Sequence, residues 1–188
     1  MYNLDVAIAL SNYSMRRRGD GVNRRRSSYG EHLYSHSLHC LIGRYMPKDP
    51  RQSFLLNSQA AGSGNHDAVL AMGWFYHNGV GVEPDMNLAK RWYKKSARQG
   101  EPWAMFSLGQ LANDQREYAD AMVWFKRAAE KGNARSLFWI GKLFWKGHGV
   151  RADRKQAITF FRKAAAQKEP AARRTLKFLS RNTLRTKG

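Results

Sequence analysis

The sequence predicts an all-α fold, a right-handed α-solenoid of antiparallel helix pairs that ends in a C-terminal capping helix. Three observations support this prediction. One apolar pattern recurs four times along the 188 residues, marked by the anchor glycines Gly43, Gly73, Gly109 and Gly141. These glycines lie 30, 36 and 32 residues apart, a period typical of stacked helical units. Each copy also has room for two helical patterns separated by a glycine-containing turn.

The first helix of each unit carries apolar residues at helical spacing. In two copies they are Val69, Met72, Phe75 and Tyr76, and Leu137, Ile140, Leu143 and Phe144. A Gly-x-Gly-Val turn follows at residues 79–82 and 147–150. Glycine there is predicted to end the helix, because it adopts the positive φ that a helix stop needs.

The second helix of each unit is predicted to begin after a capping aspartate, Asp85 or Asp153. It combines small alanines with large aromatic residues, as closely packed helix pairs require. The set is Ala89, Trp92, Tyr93 and Ala97, then Ala121, Trp124, Phe125 and Ala128, then Ala157, Phe160, Phe161 and Ala164. Gly100 and Gly132 are predicted to end this helix and turn the chain into the next unit.

These residues resemble the Sel-1-like repeat family, a relative of the tetratricopeptide repeat, over about residues 37 to 179. The family's Leu-Gly pair corresponds to Met72-Gly73, Leu108-Gly109 and Ile140-Gly141, and its Gly-x-Gly-Val-x-x-Asp turn to residues 79–85 and 147–153. Its Ala-x-x-Trp element corresponds to residues 89–92 and 121–124. The chain departs from the family at residues 103–132, which lack the Gly-x-Gly turn. It also has Lys168 and Lys177 where glycines are expected, which fits a capping helix.

The predicted organisation is one solenoid preceded by an arm. Residues 1–28 are expected to form a flexible basic arm, because Arg16 to Ser28 include almost no apolar residues to fold around. The helical repeat follows over residues 29–186. Its predicted units are about 37–66, 67–102, 103–134 and 135–170, with the cap at 171–184.

Net charge, the length of apolar runs and the cysteine count indicate which partners and which location to expect. The formal net charge is +19, concentrated in residues 15–26 and 162–188, and such a field attracts anionic partners. No apolar run approaches the roughly 18 residues that a membrane-spanning helix needs. A single cysteine, Cys40, excludes an internal disulfide and favours a reducing, cytoplasmic location.

The sequence contains no recognisable catalytic motif, so we expect no enzymatic activity and no cofactor. Residues Gly79 to Gly81 belong to the repeat turn and lack the lysine of a phosphate-binding loop. His32, His36, His39 and Cys40 lie close together, but seven helical residues span about 10.5 Å. One ion cannot join His32 and His39 across that distance, and no metal site is predicted.

The resemblance implies a protein-protein interaction adaptor, whose first helices line a concave groove for a peptide or helix of an acidic partner. The residues predicted for this groove are Arg44, Leu70, Trp74, His77, Phe106, Gln110, Phe138, Lys142 and Trp145. Aromatic surface combined with Arg44 and Lys142 suits an acidic-aromatic ligand or a C-terminal carboxylate.

The alternative function is binding of nucleic acid or an anionic surface through basic residues. It would use two arginine runs and a Lys/Arg ladder on the second helices. These residues are Arg16, Arg17, Arg18, Arg24, Arg25, Arg26, Lys94, Lys95, Lys126, Arg127, Arg162 and Lys163. A solvated outer face of the second helices also explains the ladder, and both explanations stay open.

Overall fold

The structure is a computed structural model that describes residues 24–43 and 47–185, with side chains over 29–43 and 47–181. The regular structure of these residues is entirely helical, which confirms the predicted all-α repeat fold. The helices are α1 (Arg24–Ile42), α2 (Pro50–Gly62), α3 (His66–Asn78), α4 (Met86–Arg98), α5 (Pro102–Asp114), α6 (Tyr118–Glu130), α7 (Ala134–Lys146), α8 (Arg154–Ala166) and α9 (Pro170–Arg185).

The chain divides into two compact units at Gln99. In the first unit, α1 pairs with α2 and α3 with α4, and α2 also packs on α3. In the second unit, α5 pairs with α6 and α7 with α8, while α6 packs on α7 and α8 on α9. In these pairs we call the first helix A and the second helix B.

Capping residues set the helix ends as predicted. The Asp85 carboxylate accepts hydrogen bonds from the backbone N–H groups of Asn87 and Leu88, and the Asp153 carboxylate accepts one from Gln156. These bonds satisfy N–H groups that a helix start leaves without partners. Gly79 and Gly147 end α3 and α7 in the left-handed conformation, with φ of 63° and 70°.

The second glycine of each Gly-x-Gly turn is required by a close contact with the preceding helix B. A Cβ on Gly149 would lie 2.8 Å from Cβ of Tyr118, at the start of α6. A Cβ on Gly81 would collide with the carbonyl of Pro50, at the start of α2. The turn of one repeat therefore rests on the first residues of the previous helix B.

The anchor glycines allow each helix A to touch an aromatic ring of its helix B. A Cβ on Gly73 would lie 2.5 Å from the Tyr93 ring, and one on Gly109 would lie 2.6 Å from the Phe125 ring. Gly141 has the same relation to Phe161, also at 2.6 Å. Real Cβ atoms do not approach a ring this closely, so glycine is the residue that permits this packing distance.

The first helix pair corrects the register expected from sequence. Gly43 is not an anchor; it follows the end of α1 with φ of 72° and lies 36 residues before Gly79, which ends α3. Ser37 occupies the anchor place instead. Its hydroxyl donates to the Ser53 carbonyl at 2.9 Å, and the Ser53 hydroxyl donates to the Ser37 carbonyl at 2.8 Å. These reciprocal bonds satisfy buried hydroxyls that stand where other pairs use glycine and alanine.

The same correction moves the start of the repeat. Helix α1 begins at Arg24, inside the segment expected to be a flexible arm, and it precedes the predicted unit boundary at residue 37. Tyr34, Ser37 and Leu41 form a buried stripe at spacings of three and four, which extends the amphipathic pattern toward the N-terminus. Residues 1–23 lie outside the described part of the chain.

Helix α9 lies where the repeat would place the next helix A, but it lacks an anchor glycine. Lys177 stands 36 residues after Gly141, where a side chain prevents the close ring contact. Leu176 and Leu179 are only half-buried, although the corresponding Ile140 and Leu143 are fully buried. Phe178 is 63% exposed. The capping role of this helix stays a prediction. Within the described residues, no helix is both long and apolar enough to cross a membrane.

We predict that Gly141→Ala destabilises the protein by about 1–3 kcal/mol, because the new methyl group overpacks against Phe161. This loss should exceed the gain of up to about 1 kcal/mol in helix propensity. Urea unfolding measures the change. Gly62→Ala is the matched control, since a Cβ there has no neighbour within 4 Å. Equal effects of the two substitutions would contradict the packing argument, and Phe161→Leu should restore part of the loss at position 141.

We predict that Lys168→Gly stabilises the protein by about 1 kcal/mol, because a non-glycine residue in the left-handed region is strained. Lys168 has φ of 66° at the place where Gly64, Gly100 and Gly132 stand in earlier repeats. The melting temperature should rise. Lys131→Gly is the control: its φ of −89° suits lysine, so glycine should lower the melting temperature there. A fall at both positions would show that Lys168 carries no strain.

Candidate functional site

Three residues predicted for the groove are buried within the units. Leu70 and Phe106 are each 3% exposed, and Trp74 is 6% exposed. The structure therefore places them in the cores of the repeats, where they have little surface left for a partner. Arg44 lies outside the described residues, and the corrected register removes its correspondence with Trp74.

Four rings predicted for the groove pack against the aromatic residue of their helix B. The His77 ring lies 6.3 Å from that of Tyr93, and the Phe106 ring lies 5.8 Å from Phe125. Phe138 and Trp145 lie 5.4 and 6.3 Å from Phe161. These positions are three residues before or four after the anchor glycine, so they share its face of helix A. The prediction assigned these rings to partner binding and missed this packing role.

The second unit retains a partly exposed stripe on α7. Phe138, Lys142 and Trp145 are spaced four and three residues apart, so they lie on one side of the helix, and all three are half-buried. We call these three residues the α7 stripe. Gln110, on α5 of the same unit, is also half-buried.

Helix α7 leaves more apolar surface uncovered than the equivalent helix of the first unit. Leu137, Phe138 and Trp139 are half-buried, whereas the corresponding residues of α3, 69–71, are buried. Partly exposed aromatic surface of this kind is typical of interaction sites.

A pocket of about 180 Å³ lies beside the α7 stripe, between the C-terminal ends of α5 and α7. We call it the Lys142 pocket. It is lined by Asn113, Tyr118, Trp139, Lys142, Leu143, Lys146 and His148. None of these described lining residues is acidic, so the walls are basic, aromatic and polar.

Lys142 is the central charge of this pocket. Its Nζ lies 3.7 Å from the centre of the Trp139 ring and 6.0 Å from that of Phe138, within the range of cation–π attraction. Burial lowers the pKa of Lys142 and the neighbouring Lys146 lowers it further, while Asp114 acts in the opposite direction. Among the described residues, Lys142 forms no ion pair with a carboxylate.

The far wall of the pocket is held by a ring stack. The His148 ring lies 4.2 Å from the Tyr118 ring at an interplanar angle of 27°. His148 belongs to the Gly-x-Gly turn, and Tyr118 begins α6, so the close contact at Gly149 holds the two rings together. Trp139 is positioned in turn by Phe125, whose ring stacks on it at 5.6 Å.

Of the residues that line the pocket, Lys142 alone was predicted from the sequence to belong to a binding site. Asn113 and Tyr118 fall at the irregular α5–α6 connection, and the repeat pattern assigned no role to Lys146 or His148. Trp139 did carry a signal, because Ala71 and Ser107 occupy this position in the preceding A helices. A large aromatic residue replacing small residues indicates a feature specific to one repeat.

The Lys/Arg ladder is exposed, but half of it contacts neighbouring rings. Lys95 lies 4.8 Å from the Trp92 ring centre, Arg127 lies 5.1 Å from that of Trp124, and Lys163 lies 5.5 Å from that of Phe160. The spacing of three residues on a helix produces each pair. The other members, Lys94, Lys126 and Arg162, are exposed.

The side chains of the two arginine runs are not among those that the structure describes. Arg16, Arg17 and Arg18 lie outside the described residues. Arg24, Arg25 and Arg26 begin α1, and only their backbone is described. Additional exposed cations come from α9, namely Arg173, Arg174, Lys177 and Arg181.

The histidines of α1 do not assemble a ligand set. His32 and His36 are exposed, whereas Cys40 is buried. Burial raises the pKa of the Cys40 thiol, and Asp49 raises it further. In the described part of the chain, no group of three or more histidine, cysteine or acidic residues is arranged to hold a metal ion.

Comparison with solved structures shows the same fold in bacterial repeat proteins. A Sel1 repeat protein from Oxalobacter formigenes aligns with a TM-score of 0.72 and 25% identity, over 90% of this chain and 72% of that one. A protective antigen of uropathogenic Escherichia coli with an SLR fold aligns with a TM-score of 0.71 and 22% identity. That alignment covers 95% of this chain but 37% of the antigen, so this chain spans little more than a third of its length.

The sequence matches the Sel1 repeat over residues 29–65, 66–101, 104–133 and 134–169. The first match begins eight residues before the predicted start at 37, in agreement with the register that Ser37 sets. Together the four matches cover most of the chain, and the protein therefore belongs to the Sel1 repeat family.

Proposed function

We propose that this protein is a non-enzymatic interaction adaptor whose second unit binds a peptide or helix of an acidic partner protein. Sel1 repeat proteins generally mediate protein-protein interaction, which supports the class of function. The observation that carries the proposal is the partly exposed aromatic surface of α7 beside the half-buried cation of Lys142. The single cysteine, a buried thiol, is consistent with a reducing, cytoplasmic setting.

The proposed binding surface is narrower than the groove predicted from sequence. It comprises the α7 stripe and Gln110, since Leu70, Trp74 and Phe106 are buried. Aromatic side chains dominate the energetics of many interfaces because they lose much water-exposed surface on binding. The formal charge of +19 would increase the association rate with an acidic partner.

We predict that Trp145→Ala weakens partner binding by about 2 kcal/mol, roughly 30-fold, because it removes a large aromatic side chain from the α7 stripe. The partner is first captured by a photo-crosslinking residue at position 110, in nuclease-treated lysate, and its crosslinked peptide is synthesised. Calorimetric titration then compares the wild-type protein with the variant.

The matched control is Phe144→Ala, since Phe144 is also half-buried but stacks on Phe160, at 5.6 Å, rather than joining the stripe. It should lower stability without a comparable loss of affinity. Equal losses of affinity for the two variants, or none for Trp145→Ala, would contradict a binding role for the α7 stripe.

The second candidate function is binding of nucleic acid or an anionic surface. It is favoured by the four exposed cations of α9, a helix with no acidic residue in its sequence, and by the exposed Lys94, Lys126 and Arg162. Protein side chains that neutralise phosphate groups produce affinities that fall steeply with salt.

We predict, for this second function, that replacing Arg173, Arg174, Lys177 and Arg181 by Gln weakens binding to single-stranded RNA or to vesicles containing phosphatidylserine. Fluorescence anisotropy and vesicle sedimentation at two salt concentrations measure it. For RNA, the slope of log affinity against log salt should become shallower by about 0.7 for each phosphate that the variant leaves without a cation. An unchanged slope would exclude α9 from polyanion binding.

A further inference from the structure

We propose that the Lys142 pocket is a subsite that binds a carboxylate group of the partner peptide. The inference rests on the proposed function in one respect, that the second unit receives a peptide. It adds the pocket itself and the chemistry that the pocket recognises. Five of its residues, Asn113, Tyr118, Trp139, Lys146 and His148, belong to no site predicted from the sequence.

Charge is the first argument for a carboxylate. Lys142 and Lys146 are one helical turn apart on α7 and both line the pocket. The acidic residue that influences Lys142, among the described residues, is Asp114, which does not reach ion-pair distance. Two ammonium groups against one carboxylate leave one unbalanced positive charge. One carboxylate would neutralise this charge, whereas a dianionic phosphate would leave a net negative charge beside Asp114.

Desolvation is the second argument. Lys142 is half-buried, and its pKa is lowered first by burial and then by Lys146, so the structure holds a cation in an environment that disfavours it. An anion bound at Nζ would remove this penalty and raise the pKa. Part of the present compensation comes from the Trp139 ring, which is a weaker partner than a carboxylate.

Shape is the third argument. A volume of about 180 Å³ greatly exceeds the roughly 30 Å³ that one water molecule occupies in the liquid. It suits a single side chain or chain end and is too small for a folded element. Trp139, Leu143 and the Tyr118–His148 ring stack contribute ring and aliphatic surface. Asn113, whose amide nitrogen also donates to Asp114 Oδ1 at 3.2 Å, and Tyr118 are neutral residues with hydrogen-bonding groups. An aromatic residue bearing a carboxylate matches both parts of this lining.

The test uses N-acetyl-phenylalanine as the probe and N-acetyl-phenylalanine amide as its uncharged match. The full-length protein carries carbon-13 at the lysine ε position, and two-dimensional NMR follows the Lys142 and Lys146 signals. We expect saturable shifts with the acid, a dissociation constant on the order of 1 mM, and a higher pKa of Lys142 in the complex. The amide should leave both signals unchanged.

Variants connect the shifts to the pocket. Lys142→Met keeps the unbranched chain beside Trp139 but removes the charge. It should weaken the binding of N-acetyl-phenylalanine roughly tenfold or more. Lys146→Met should weaken this binding less, since Lys146 is exposed whereas Lys142 is half-buried. Lys126→Met, an exposed lysine on α6 outside the pocket, is the matched control and should bind the acid as the wild type does.

The α-amide of N-acetyl-phenylalanyl-glutamate, whose one free carboxylate is on the side chain, distinguishes the two sources of the group. Binding of N-acetyl-phenylalanine alone assigns the pocket to a chain terminus, and binding of both assigns it to either source. Equal affinity for the amide, tighter binding of inorganic phosphate than of acetate, or unchanged affinity in Lys142→Met would overturn the proposal.

The two proposals fail separately. A partner peptide that needs Trp145 but binds equally well with every carboxylate amidated would remove the carboxylate subsite and leave the adaptor function intact. A protein that binds the acid at Lys142 but whose partner peptide binds Trp145→Ala as tightly as the wild type would remove the binding role of Trp145 and leave the carboxylate subsite intact.

Discussion

The structure depends on one close contact, that between a glycine in helix A and an aromatic ring in helix B. At Gly73, Gly109 and Gly141 the ring lies where a Cβ would stand, so the two helices approach more closely than side chains normally permit. The ring then fills the space between the helices of its pair, and the residues one turn before and after the glycine close around it. The repeat is therefore held mainly by short-range packing inside each pair, which is how repeat proteins distribute their stability.

This contact also determines which surfaces remain for binding. Aromatic residues three before or four after the glycine are drawn toward helix B, so their exposed area depends on how completely the pair covers them. In the first unit that coverage is nearly complete on α3, where residues 68–75 are all buried. On α7, only Ser136, Ile140, Gly141 and Leu143 are buried. A helix of the same type thus presents either a core face or a partly open face.

The positive charges affect which ligands the protein attracts, whereas packing holds its helices together. Most cations whose side chains the structure describes are exposed. Several of them contact a ring three residues away, an arrangement that holds the side chain without neutralising it. Lys142 differs because it is half-buried beside a second lysine and lines a concave surface. The overall field of the protein attracts anions without selecting among them. The proposed selection of a carboxylate group depends on this half-buried charge and the pocket that it lines.

The sequence alone determined the helical repeat, the turns, the aspartate caps and three of the four anchor positions, because glycine, aspartate and the spacing of apolar residues act locally. It misplaced the first anchor, since Ser37 and Ser53 replace the usual small pair by hydrogen bonds that only the folded helices bring together. It also predicted one binding groove for Lys142 and for Leu70, Trp74 and Phe106, although the last three are buried. Whether a side chain at a given repeat position is buried depends on its neighbours in space. Only the tertiary structure could therefore separate the core residues from the α7 stripe and assemble the Lys142 pocket from three segments of the chain.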